Sequence, residues 1–134
     1  ADYVELVRAG RLHEMKALWR AHPLMRLCDV AHQPLVDRML DAYSGADAGA
    51  PPPPNFSDAD LASIAAPSLF ITGADDSALR RRIADHLASI LPGAERVEIP
   101  AAGHLCNLCA APAFNDTLKR FLARVDARLR ARTS

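Results

Sequence analysis

Two positions in the second half of the chain could do proton chemistry together. An acid, Asp75 or Asp76, follows the apolar run Ser68–Thr72 and its Gly73, and His104 follows the alternating run Arg96–Pro100 and Ala101-Ala102-Gly103. An imidazole changes charge near neutrality and can take and return a proton, while a neighbouring carboxylate holds the ring in one tautomer. For the two groups to meet, the strands before them must lie parallel, so that their carboxyl ends open on one edge of a sheet, where ligands of such sheets bind. The sequence supplies the parts. Both runs are rich in Leu, Phe, Ile and Val and are stopped by glycine, and Ser77–Leu91 between them carries Leu79, Ile83, Leu87, Ile90 and Leu91 as the apolar stripe of a crossover helix. The triple arginine Arg80-Arg81-Arg82 reads as a solvated face beside that stripe.

The elements around this unit follow from local pattern. Residues 3–21 carry apolar residues at helical spacing on both sides of Gly10, which predicts two short helices ending at His22-Pro23. The periodicity continues through Leu24–Val30 and Pro34–Tyr43, with Pro34 suited to a first helical turn and Gly45 to a stop. Ala46–Asn55 contains four consecutive prolines, Pro51–Pro54, and is expected to be an extended, semi-rigid connector without helix. Ser57-Asp58-Ala59-Asp60 predicts a capped short helix leading to Ala66-Pro67. Pro112–Arg132 closes the chain as a helix whose stripe Leu118, Phe121, Leu122, Val125 and Leu129 should cover the sheet.

The order of these parts resembles the second half of an α/β-hydrolase. In that family the last two strands supply the acid and the histidine of a nucleophile-acid-base triad. The family's acid usually sits in G-x-x-D, here Gly73 to Asp76, and its histidine in G-H, here Gly103-His104. The segment after the histidine is similar to the family's G-H-L-x-N-L, with Leu105, Asn107, Leu108, Phe114 and Asn115 in place; Cys109 stands where Glu is common, and Ala111 where Pro is common. The resemblance covers roughly the last 80 residues and implies catalytic roles for Asp76 and His104, the offset favouring Asp76 over Asp75. It implies the C-terminal part of an α/β-hydrolase sheet, two parallel strands with flanking helices, preceded by a helical cap. Residues 1–45 would be the cap, 46–56 the connector and 57–134 the core part. A cap roofs the active site in that family, so Trp19, Met25 and Leu105 become candidates for substrate contact, with Met15, Leu27 and Met39 as further wall residues.

The family's nucleophile motif, G-x-S-x-G, is absent from the 134 residues; Tyr43-Ser44-Gly45 lacks the first glycine and follows a helical segment. The expected partner is therefore an N-terminal half of the same hydrolase, on another polypeptide or upstream in a parent chain, together with a small-molecule substrate. A carboxylic ester, lactone or thioester is the expected substrate class. The rival from another class is a non-catalytic, hydrolase-derived interaction module.

Sixteen basic and sixteen acidic residues balance, so no nucleic-acid partner is expected, and no apolar run reaches the length of a membrane span. Three cysteines, Cys28, Cys106 and Cys109, are too few for a disulfide framework, which suits a reducing, cytoplasmic setting. No metal or cofactor is expected. His104-x-Cys106-x-x-Cys109 lacks a second ligand pair, and His13-Glu14 has Ala17 where H-E-x-x-H needs its second histidine.

Overall fold

The computed structural model describes residues 2–51 and 54–133, so the middle of the proline run, residues 52–53, lies outside the described residues. The chain divides into two compact units, Ala1–Asn55 and Phe56–Ser134.

The first unit is helical. Helix α1 (Tyr3–Arg8) starts where the Asp2 carboxylate accepts from the Val4 and Glu5 amides, satisfying donors that a helix start leaves open. Gly10, at φ 71°, turns the chain into α2 (Leu12–Arg20). Leu24–Val30 departs from the helical reading: Pro23–Met25 and Val30–His32 are single 3-10 turns. Each turn has its own N-cap, the His22 ring accepting from the Leu24 amide and the Asp29 carboxylate from the Ala31 amide, so the segment starts twice and does not run on as one helix. Helix α3 (Gln33–Ala42) carries Pro34 in its first turn and buries Val36 and Leu40. Ala46–Gly49 forms a 3-10 turn, so helical structure enters the start of the connector, ahead of the prolines.

The second unit opens with α4 (Asp58–Ala62), closed by a reciprocal capping box between Ser57 and Asp60. Strand β1 (Leu69–Gly73), helix α5 (Ala78–Ile90) and strand β2 (Glu95–Ile99) follow, and the strands pair in parallel from Leu69↔Glu95 to Gly73↔Ile99. Among the described residues these two strands are the whole sheet. After β2 come α6 (Cys106–Cys109) and the long α7 (Ala111–Thr133).

The two faces of the sheet differ. On one, Ile71 and Ile99 pack with Ala102, Cys106, Ala110 and Phe114 in an apolar cluster. On the other, Arg96 donates to the Thr72 hydroxyl at 2.7 Å and to Asp85 of α5 at 2.8 Å, with Glu98 at 3.7 Å from Arg96 and 3.8 Å from Arg81. Alternate side chains of a strand point to opposite faces, so Arg96 and Glu98 carry this polar layer while Ile99 faces the core.

That polar layer corrects the stripe expected for α5. Leu79 and Ile83 are 57% and 42% exposed, while Ala84 and Leu91 are buried and Arg81 is half-buried. The helix turns toward the sheet the residue that can reach Glu98 and the small one that lets it approach closely. Of the stripe expected on α7, Phe121 and Val125 are half-buried, together with Phe114 and the buried Thr117, whereas Leu118, Leu122 and Leu129 are exposed. Its 23 residues outrun five-residue strands. At about 1.5 Å per helical residue against about 3.3 Å per strand residue, the helix is roughly twice as long as the sheet beneath it.

Candidate active site

The acid and the histidine meet at the carboxyl ends of β1 and β2. Beyond Gly73 the chain is stitched across to the neighbouring strand end: the Ala74 amide donates to the Ile99 carbonyl at 2.9 Å and the Asp75 amide to the Ala102 carbonyl at 2.9 Å. The Asp76 amide then closes a turn onto the Gly73 carbonyl at 3.2 Å, and the Asp76 side chain is left 3% exposed. Its Oδ2 lies 2.9 Å from Nδ1 of His104, and its Oδ1 accepts from the Ser77 amide at 2.6 Å. Ser77 caps α5, so the carboxylate also sits at the positive end of a 13-residue helix.

This pattern sets the tautomer. An ionised carboxylate only accepts, so Nδ1 of His104 carries the hydrogen and donates, leaving Nε2 with its lone pair. Nε2 makes no hydrogen bond among the described residues, and the His104 side chain is 39% exposed. A buried acid bonded through both oxygens behind a half-exposed imidazole has the geometry in which a carboxylate can orient a ring that takes up a proton. Asp75 takes no such part: it is exposed, and it contributes its backbone amide to the Ala102 carbonyl.

Cys106 lies beneath the histidine loop, 5% exposed, and is a free thiol. Burial pushes its pKa above the ordinary thiol value of 9.0, and the nearby Asp76 charge acts in the same direction. The thiol therefore stays protonated at neutral pH, in the apolar cluster, and is no nucleophile there. Among the described residues no group of three or more His, Cys, Asp or Glu side chains is placed to hold a metal ion. No helix there is long and apolar enough to cross a membrane.

The candidate substrate-contact residues fall into both units. Leu105 is half-buried directly after His104, and its carbonyl accepts from the Leu108 and Cys109 amides, each at 2.9 Å. Trp19 and Met25 belong to the first unit. Trp19 stacks on His22 with centroids 4.9 Å apart and meets Tyr3 edge-on at 5.1 Å. Met25 lines a cavity of about 320 Å³ together with His22, Leu27 and Val30.

Two participants were not foreseen. Arg96 and Thr72 tie β1, β2 and α5 together behind the site; the alternating R-V-E of β2 signals a polar face but does not say what that face meets.

Comparison with curated proteins finds a limited relationship. Over 57 residues, 42% of this chain, it is 40% identical to proteins named "Putative carbamate hydrolase RutD" from Klebsiella pneumoniae strain 342 and from Klebsiella variicola strain At-22. A third, from Klebsiella pneumoniae subsp. pneumoniae, is 39% identical over the same length. The matched stretch spans 21% of each relative, about a fifth of its length. No family model matches the chain, and no solved structure matches it. What the comparisons give is a partial likeness to proteins named as hydrolases, carried by a mixed α/β chain with two parallel strands.

Proposed function

We propose that this chain is the cap and acid-histidine part of a serine-type α/β-hydrolase, with its nucleophile on a segment outside these 134 residues. The observation that carries the reading is the 2.9 Å bond from His104 Nδ1 to a buried Asp76, which leaves Nε2 as an acceptor at the carboxyl edge of a parallel pair. A hydroxyl attacks a carbonyl only if its proton has somewhere to go. In the proposed reaction the serine hydroxyl gives its proton to His104 Nε2 as its oxygen bonds to the substrate carbonyl carbon. His104 returns that proton to the departing oxygen, sulfur or nitrogen, and water releases the acyl group by the same two transfers. Asp76 stays ionised throughout and stabilises the imidazolium.

The substrate class is a carboxylic ester, lactone or thioester, and the name borne by the relatives adds the carbamate, whose carbonyl is attacked in the same way. The helical unit, with Trp19 and Met25, is the proposed cap, and Leu105 a proposed contact beside the base. The proposed partner is the N-terminal half carrying G-x-S-x-G. A fluorophosphonate probe tests this on the native preparation: a labelled serine within G-x-S-x-G, on a companion chain or a longer precursor, is the expected result. A preparation with neither label nor companion overturns the reading.

Two observations favour the rival interaction module. Leu79 and Ile83 on α5 are exposed, and among the described residues β1 has a strand on one edge only. Such a module would hold its partner equally well after His104→Ala and show no turnover before it.

A further inference from the structure

We infer that Gly73 is a positioning residue for the Asp76–His104 pair: the histidine loop passes through the volume that a β-carbon at this position would fill. This rests on the reading of the pair as acid and base, but it concerns what sets their distance.

Gly73 is the last residue of β1 and pairs with Ile99, the last of β2. A β-carbon there would lie 1.9 Å from the Ala102 carbonyl oxygen, 2.4 Å from its carbon and 2.4 Å from the Gly103 oxygen. All three are backbone atoms, so no rotamer change relieves the contact. Gly73 does not have a positive φ, so the demand is one of space. The loop that occupies this space is the one whose Ala102 carbonyl receives the Asp75 amide, and two residues later it presents His104. Restoring ordinary contact, from 1.9 Å to 3.4 Å, would push the loop back by about 1.5 Å. A displacement of that size along the line from His104 to Asp76 would carry their 2.9 Å bond beyond hydrogen-bond range.

Gly103 provides the contrast. It stands in the G-H pair that marks the histidine, yet a β-carbon there meets nothing within 4 Å and its φ is not positive. The loop also holds Ala101 at φ 52°, in the left-handed region that disfavours a side chain. Ala101→Gly should therefore loosen the loop and give it room to withdraw.

The test is the low-field Nδ1–H resonance of His104 in this chain, with ring-nitrogen labelling for assignment. Gly103→Ala should keep it. Gly73→Ala should lose it while circular dichroism shows a folded protein. If Gly73→Ala does not fold, Gly73→Ala with Ala101→Gly should fold and still lack the resonance. Retention of the resonance in either folded Gly73 variant, or its loss in Gly103→Ala, overturns the inference. Amide exchange in the unaltered chain adds an outcome independent of any substitution: the Asp75 amide should be protected, and an unprotected one overturns the clamp. None of these readouts depends on turnover. A present resonance in a protein whose longer form hydrolyses normally after Asp76→Asn would remove the hydrolase reading and leave the role of Gly73 standing.

Discussion

The two units hold their side chains in different ways. In Phe56–Ser134 the acid and the histidine are placed by backbone: a parallel register, two amide-to-carbonyl hydrogen bonds across the strand ends and a glycine with no room for a side chain. In Ala1–Asn55 the helices are joined by side chains, with Arg20 reaching Asp37 and Asp41, Lys16 reaching the Asp41 carbonyl, and Tyr3, Trp19 and His22 in ring contact. Backbone placement survives exchange of most surface residues, because each non-proline residue offers the same donor and acceptor. Side-chain placement changes with every substitution.

Substitutions in each unit test this contrast. Ile99→Ala should have the largest effect on stability: Ile99 is 3% exposed at the centre of the cluster with Ala102 and Cys106, and a buried truncation of this kind costs about 2–5 kcal/mol. Urea unfolding of the second unit would measure it, and a loss well below 1 kcal/mol, taking ~1 as the typical effect of a single substitution, would show that the histidine loop is not seated on this cluster. Arg96→Leu comes next. It leaves the Thr72 hydroxyl, on a residue 9% exposed, without its donor and frees Asp85, for a loss of about 2 kcal/mol in the same measurement.

Cys106 supplies a smaller, pH-dependent effect. Its folded pKa lies above the unfolded value of 9.0, so above that pH the unfolded thiol ionises while the folded one keeps its proton. Stability contributed by the protonated thiol is complete below 9 and falls as pH rises toward the folded value. Cys106→Ala should flatten the dependence of the melting temperature on pH in this alkaline window, and an unchanged slope would contradict the burial of the thiol. Arg20→Gln should have the smallest effect, since its partners are exposed and screened by salt. Its change in melting temperature should vanish in high salt, and a persistent loss would mean the first unit depends on more than surface pairs.

The same contrast explains what could be read from the sequence. The β-α-β unit, the cap at Ser57, the stop at Gly10 and the meeting of an acid with His104 depend on short-range pattern and on parallel strand ends, and the chain carries those signals openly. The inward faces of α5 and α7 followed from their apolar stripes only in part: Leu87, Ile90, Leu91, Phe121 and Val125 are buried or half-buried, while Leu79, Ile83, Leu118, Leu122 and Leu129 are exposed. Which face of a helix is buried is settled by its neighbour, here a polar sheet face under α5 and a sheet too short for α7. Leu24–Val30 forms no continuous helix: His22 and Asp29 each cap a separate 3-10 turn, Pro23–Met25 and Val30–His32, and the apolar spacing between them did not reveal the break. Gly73 and Gly103 look equivalent as letters, and only the path of the loop tells them apart.

The central claim is that Asp76 orients His104 as the base of a hydrolase, and its most direct test is turnover by Asp76→Asn in the protein that also carries the nucleophile. Asparagine keeps the shape but no longer favours the Nδ1–H tautomer or the imidazolium, so kcat should fall by about 10⁴-fold with KM little changed. Turnover within a few-fold of the unaltered protein would contradict the claim and return Asp76 to the role of a helix-end carboxylate.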